Sequence, residues 1–366
     1  MMWMRLLDIC DFQGGSQPPK EEWSFAEQEG YIRMLQIRDF TQSEKVTPEY
    51  IKISNCIKTC TEDDVLIARY GASIGKVLTG IAGAYNVAIM RTIPDTDIIR
   101  KRFLYYYLKS SYFQYAILNV GSRAAQAGFN KTDLAKLEIT CPELSKQDKI
   151  VKILEKVESI IQKRKDQLNA LDYIIKARFV EMFGDVKYGS ERWGGKPFKD
   201  ITINLDSKRK PVKDADRKRM QGIYPYYGAT GIVDYINDYR QDGDFLLISE
   251  DGKALELRSK PIAFLASGKI WVNNHANVQQ CTDECNMIYL MYHINFMDIS
   301  IWVTGIDQKK LNRANLDTIP IALPPIELQE QFAAFVHQVD KSKVVVQKAL
   351  DEAQLLFDSL MQKYFG

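Results

Sequence analysis

Leu316-Asp317-Thr318-Ile319-Pro320-Ile321-Ala322-Leu323-Pro324 echoes Leu134-Ala135-Lys136-Leu137-Glu138-Ile139-Thr140-Cys141-Pro142 at an offset of 182 residues. The same offset holds without gaps through Gln147/Gln329, Asp148/Glu330, Ile150/Phe332, Val157/Val339 and Leu168/Leu350. It ends with Met182-Phe183-Gly184 against Tyr364-Phe365-Gly366. A repeat of this length decides the architecture, because each copy must be one structural unit. Weaker echoes lie upstream, Leu7-Asp8-Ile9 with Lys199-Asp200-Ile201 and Asp64-Val65-Leu66-Ile67 with Asp244-Phe245-Leu246-Leu247. Their offsets differ, so the front part of each copy carries insertions and deletions.

The chain therefore divides into residues 1–144, a helix over 145–183, residues 184–325 and a second helix over 326–366. A helix that packs along its length needs apolar residues alternately three and four apart. Ile150, Leu154, Val157, Ile161, Arg164, Leu168, Leu171, Ile175, Arg178 and Met182 meet that spacing, and eight of the ten are apolar. Phe332, Val336, Val339, Lys343, Val346, Leu350, Ala353, Phe357, Leu360 and Tyr364 occupy the same positions in the second copy. Ile150, Leu154, Val157, Ile161, Leu168, Leu171, Phe332, Val336, Val339, Leu350 and Phe357 are thus expected to form the packing between helices. Neither run contains Gly or Pro, and Pro142 and Pro324-Pro325 stand just before them, where proline closes an extended segment. At about 1.5 Å per residue each helix should reach roughly 55–60 Å. Antiparallel packing would give a pseudo-twofold repeat with a globular part at each end.

The globular parts read as mixed α/β (α+β), with strands at Val65–Ala68, Tyr85–Met90 and Phe245–Ile248. Helices are expected to begin at Phe103–Leu108 and Ile288–Tyr292, with their aromatic residues in the core.

Composition narrows function by exclusion. Hydrophobic residues make up 46% and charged residues 26% of 366, a globular balance. No apolar run nears the ~20 residues of a membrane span, and a charge arrives within eight residues of the start, which points to a cytoplasmic protein. The six cysteines are too few for a disulfide scaffold. Cys56/Cys60 and Cys281/Cys285 lack zinc spacing and nearby histidine, so no metal is expected. Gly71-Ala72-Ser73-Ile74-Gly75-Lys76-Val77 is one residue short of a phosphate loop and has Val77 where magnesium needs a hydroxyl, so a turn between strands is expected. A dinucleotide-binding glycine fingerprint, an Asn/Asp-Pro-Pro-Tyr tetrapeptide and a Gly-x-Ser-x-Gly elbow are all missing from the sequence. No catalytic residue is nominated, and a binding module is the natural reading.

Net charge is only +2, so nucleic-acid contact would have to come from local patches. The densest is Lys208–Arg219, with seven basic residues in twelve: Lys208, Arg209, Lys210, Lys213, Arg217, Lys218 and Arg219. Phosphate contact and a solvated loop are both open readings of that run. Ahead of each long helix lies a polar segment, one with Arg123, Gln126, Asn130 and Lys131, the other with Gln308, Lys309, Asn312 and Arg313. These side-chain types read base edges through paired hydrogen bonds, and they also cap helices; composition leaves both open. With Lys76 they complete the expected DNA-binding set.

The motifs carry a resemblance. Pro142-Glu143-Leu144-Ser145-Lys146-Gln147-Asp148-Lys149-Ile150, and more closely Leu323-Pro324-Pro325-Ile326-Glu327-Leu328-Gln329-Glu330-Gln331-Phe332, resemble the lead-in to the long helices of type I restriction–modification specificity subunits. Asp64–Gly75, Asn273-Asn274-His275-Ala276, the Phe-Gly endings and the two-copy layout are also similar. The first lead-in departs from the pattern, with Glu143 for the second proline and Lys146-Gln147-Asp148 for the usual Glu-Gln pairing. The resemblance implies two target recognition domains that read the unlike halves of a split, asymmetric double-stranded DNA target, with the helices as spacer. It further implies two modification (methyltransferase) subunits, which hold S-adenosylmethionine, and restriction subunits that use ATP and magnesium. None of that chemistry is expected in this chain. A non-reading scaffold that bridges partners through its helices is the alternative.

Overall fold

The computed structural model describes residues 2–121, 128–186, 192–258, 260–306 and 308–366. They form two compact units, residues 1–165 with 348–366, and residues 166–347. Each unit thus combines one globular part with the end of one long helix and the beginning of the other.

In the first unit, Met2–Arg5 pairs antiparallel with Glu138–Cys141, the strand just before the first long helix. A four-stranded sheet runs in the order Cys10–Gly14, Ile89–Pro94, Leu66–Ala68, Val77–Leu78. A second sheet contains Tyr31–Leu35 and Tyr50–Lys52, with Tyr31–Leu35 parallel to Gly83–Tyr85. In the second unit, Gly195–Pro197 pairs with Pro320–Ala322. Its six-stranded sheet runs Thr202–Asn204, Ala276–Cys281, Gln241–Ser249, Ala263–Val272, Gln221–Gly228, Gly231–Ile236. The first four strands of that order match the four-stranded sheet of the first unit. The hairpin Gln221–Ile236 docks through one parallel pairing, Tyr226 with Trp271, as Met34 does with Ala84 in the first unit. One topology, at different strand lengths, is what a repeat with shifting offsets requires. Gly71–Ser73 is a turn between two strands of the first sheet.

The long helices span Leu144–Phe183 and Ile326–Phe365. Gly184, at φ +88°, stops the first: its N–H bonds the Val180 carbonyl in a left-handed conformation that favours glycine. Within the first unit Ile150, Leu154, Val157 and Ile161 are buried in one core with Ala353, Phe357, Met361 and Phe365. Within the second, Phe332, Val336 and Val339 are buried with Ile175, Phe179 and Phe183. Asp172 and Lys343 form an ion pair at 2.5 Å, while Phe183 and Phe332 meet ring to ring at 5.6 Å, so the segments run antiparallel there. Leu168, Leu171 and Leu350 are half-buried.

The seam departs from the expected register at its ends. The 3-4 spacing places Arg178, Met182, Leu360 and Tyr364 in it; Met182, Leu360 and Tyr364 are half-buried against the cores, and the more deeply buried positions are Phe179, Phe183, Met361 and Phe365. Arg178 pairs with Glu181 at 2.8 Å, and its guanidinium carbon lies 5.8 Å from the centre of the Phe335 ring on the other helix. An α-helix gains about 20° per heptad on a strict 3.5 repeat. The steps Ile175–Phe179–Phe183 and Phe357–Met361–Phe365 follow that drift toward aromatic residues of the globular part. Phe103 lies 4.9 Å from Phe365, and Tyr289 lies 4.8 Å from Phe183, on the helices Lys101–Lys109 and Met287–Phe296.

A buried amide ties each long helix to its domain. Gln147 is fully buried; its Oε1 accepts from the Arg100 N–H at 2.8 Å, and its Nε2 donates to the Ile98 and Pro142 carbonyls, both at 2.8 Å. Gln329, its counterpart, accepts from the Asn286 N–H at 2.8 Å and donates to Glu284 at 3.1 Å and Pro324 at 2.8 Å. Arg100 and Asn286 are the residues that start the two aromatic helices. The buried amide satisfies backbone groups that would otherwise be orphaned at those helix starts.

Candidate nucleic-acid interface

At one end of each main sheet, three backbone segments far apart in sequence are laced together. In the first unit the Arg69 N–H bonds the Ala88 carbonyl at 2.9 Å, and the Phe129 N–H bonds the Arg69 carbonyl at 3.2 Å. Tyr70 bridges to Gly128, whose missing Cβ leaves room for the Tyr70 ring. Asn86 closes a tight turn by accepting from the Ala88 N–H at 3.1 Å. The second unit repeats each bond. Glu250 N–H bonds the His275 carbonyl at 2.9 Å, Leu311 N–H bonds the Glu250 carbonyl at 2.8 Å, and Asp251 bridges to Lys310. Asn273 accepts from the His275 N–H at 2.8 Å. Arg69 therefore corresponds to Glu250, Tyr70 to Asp251, Ala88 to His275 and Gly128 to Lys310.

This junction brings the pre-helix loops onto the sheet end, and in the first unit the Lys76 turn as well. It also brings in residues that sequence reasoning left out of the site: Arg69, Tyr70, Asp251 and His275. A signal was present for Arg69, Tyr70 and His275, which lie in the motifs Asp64–Gly75 and Asn273–Ala276 that carry the family resemblance; Asp251 lies in neither. In the first unit Arg69 stacks on Tyr70, with its guanidinium carbon 4.4 Å from the ring centre, and donates to the Tyr70 hydroxyl. In the second, Asp251 Oδ2 lies 2.8 Å from His275 Nδ1.

The nominated residues divide by what they touch. Arg123 and Gln126 lie outside the described residues. Asn130 caps the short helix Lys131–Leu134, its carbonyl oxygen accepting from the Thr132 and Asp133 N–H groups. Asn312 caps Arg313–Thr318 in the same way, accepting from Asn315 at 2.9 Å. Lys131 pairs with Asp11, and this bond, then the Phe12 N–H, holds the Asp11 carboxyl below its usual range. Arg313, at the equivalent position, pairs with Asp317 at 2.6 Å and Asp206 at 3.6 Å. Burial pushes Asp206 upward despite the Val278 N–H, Arg209 and Arg313.

Two arginines of the basic run are also engaged internally. Arg209 bonds Glu250 at 2.6 Å, Asp206 at 3.3 Å and the Ala276 carbonyl at 3.0 Å. Arg217 bonds Asp214 at 2.8 Å, Asp234 at 3.2 Å and the Val212 carbonyl at 3.0 Å, beneath the Tyr226 ring. These ties hold the run against its sheet. Lys76, Lys208, Lys210, Lys218, Arg219 and Gln308 are exposed, and Lys309 is half-buried. Lys218 makes a long surface pair with Asp214, at 3.4 Å.

Among the described residues, no group of three or more His, Cys, Asp or Glu side chains is placed to hold a metal ion. Among those residues no helix is long and apolar enough to cross a membrane.

The family model for the type I restriction modification DNA specificity domain matches residues 1–170 and again residues 190–353. A curated Haemophilus influenzae protein named as a type I restriction enzyme specificity subunit is 38% identical over 144 residues. That match spans 39% of this chain and 36% of the relative, about a third of its length. The EcoprrI specificity subunit of Escherichia coli is 22% identical over 92% of this chain and 87% of its own. The S subunit of the type I system of M. genitalium has the same fold, with a TM-score of 0.56 at 16% identity, over 100% of this chain and 96% of that one. A chain from a structure addressing complex assembly and conformational transition of the type I R-M system gives 0.58 at 14% identity, covering 100% and 97%. With its specificity-domain model matched once in each copy, this chain belongs to the type I restriction modification DNA specificity domain family.

Proposed function

We propose that this chain is the DNA sequence-recognition subunit of a type I restriction–modification complex, reading a bipartite, asymmetric target with its two domains. The observation that carries the reading is the doubled junction: one hydrogen-bonded frame, built twice, bearing different side chains each time. A constant frame sets how a domain meets the duplex, and variable side chains set which bases it prefers. Two unlike junctions mean two unlike half-sites.

The exposed Lys76, Lys208, Lys210, Lys218 and Arg219 suit phosphate contact, and Gln308 and Lys309 suit base or phosphate contact. Lys131, Arg209, Arg217 and Arg313 serve mainly to hold loops, because each already faces a carboxylate. Asn130 and Asn312 keep their amide N–H groups for a ligand while their oxygens cap helices. The 40-residue helices, about 60 Å at 1.5 Å per residue, act as the spacer between half-sites. The chain has no catalytic residues of its own. Two modification subunits bring S-adenosylmethionine and methyl transfer; restriction subunits bring ATP and magnesium.

Methylation mapping of genomic DNA from cells that express this chain with its modification partner tests the reading. A split motif with unlike halves and a fixed gap is expected. A continuous motif would refute two reading domains. No new methylation from an assembled complex would favour a scaffold that does not read DNA.

A further inference from the structure

The two junctions share a frame and differ in chemistry. In the first unit the frame presents a guanidinium stacked on a phenol, Arg69 on Tyr70. In the second it presents a carboxylate hydrogen-bonded to an imidazole, Asp251 with His275. Glu250, beside Asp251, has its charge met by Arg209 at 2.6 Å. Among the described residues, Asp251 is the acid of the pair left without a guanidinium: 21% of its side chain is exposed, beside 48% of that of His275, while Glu250, 24% exposed, is engaged by Arg209.

Resting on the DNA-reading function above, we propose that Asp251, held by His275, is the specificity-determining residue of the second recognition domain. It accepts a hydrogen bond from an exocyclic base amino group, cytosine N4 or adenine N6. The imidazole fixes one carboxylate oxygen, Oδ2, and so orients the other, Oδ1, toward the ligand. An ionised carboxylate only accepts, so it pairs with a base amino group and is repelled by guanine O6 or thymine O4. The exposed Lys310, across the backbone bridge from Asp251, supplies positive charge that lets a carboxylate approach a polyanion. His275 is a positioning residue. At the matching place in the first unit, Tyr70 beside Arg69 makes no such selection for an amino group.

The test is selection of duplexes from a randomised library by the full-length chain, with Asp251→Asn, Asp251→Ala and His275→Gln alongside. The wild-type chain should enrich a split motif with one column of cytosine or adenine in one half, and the column's identity tells the two amino groups apart. Asp251→Asn, which can both donate and accept, should lose preference in that column by about 10- to 100-fold. The other half-site should stay unchanged, and it serves as the folding control. His275→Gln should keep the preferred base with weaker discrimination. Asp251→Ala should flatten the same column, which keeps the test open if the Asn variant fails to fold. An unchanged motif in both Asp251 variants overturns the proposal and leaves the DNA-reading function standing. Loss of both half-sites would make Asp251 structural and also overturn it. A wild-type chain that enriches no motif overturns the DNA-reading function itself.

Discussion

Replacing Gln329 by Leu should be far more costly than an average buried substitution. The amide is fully buried and serves three backbone groups: the Asn286 N–H at 2.8 Å, the Glu284 carbonyl at 3.1 Å and the Pro324 carbonyl at 2.8 Å. Leucine is close in volume, so packing is nearly kept and the cost is that of unmet hydrogen bonds. Each buried group left without a partner costs about 1–3 kcal/mol. Relaxation and the spare lone pairs of the carbonyls reduce the sum, and a loss of roughly 3–5 kcal/mol is expected. The Asn286 N–H reports on this directly, because Gln329 is its acceptor. Native-state hydrogen exchange at that amide should speed up by about two to three orders of magnitude, at 1.4 kcal/mol per tenfold. Gln147→Leu should do the same at Arg100, where the same three-bond pattern occurs. The two latches share no partner, so the double variant should be additive within about 0.5 kcal/mol. Exchange at Asn286 that rises less than tenfold in Gln329→Leu would refute the latch.

Three further outcomes are expected. His293 is fully buried, accepts from the Ala322 N–H at 3.2 Å, and burial lowers its pKa to about 4. The unfolded chain, near 6.5, binds the proton first, so stability should fall as pH drops from about 6.5 toward 4, by up to about 3 kcal/mol. Denaturant midpoints measured between pH 7 and 5 should show this slope, and His293→Gln should flatten it. Gly305→Ala should destabilise by about 2 kcal/mol in a thermal melt, because Gly305 sits at φ +99° and an added Cβ would collide with the Gln308 carbonyl oxygen. Arg313→Ala should cost about 1–3 kcal/mol in urea unfolding by freeing Asp206 and Asp317. Duplex selection should find the base preferences of that variant unaltered, and a relaxed column would return Arg313 to the reading surface.

The sequence by itself determined the repeat, the two long helices to within a residue or so of their ends, and the burial in the core of aromatic residues from the helices at Phe103–Leu108 and Ile288–Tyr292. These features are local: periodicity, proline before a helix and glycine after it act over a few residues. Tertiary structure alone decided which cations are spent inside the fold. Arg209, Arg217 and Arg313 looked like Lys208 or Arg219 in sequence, but they face carboxylates brought from other segments, such as Glu250, Asp234 and Asp206. It also buried Phe179 and Phe365 more deeply than the half-buried Arg178 and Tyr364 beside them, because helical drift and the aromatic partners outweigh a strict heptad. The junction of Arg69, Ala88 and Phe129, repeated as Glu250, His275 and Leu311, is held by backbone hydrogen bonds between distant segments. Side-chain types cannot encode such a junction, since it exists only once the sheet has paired and the pre-helix loop has closed over its end.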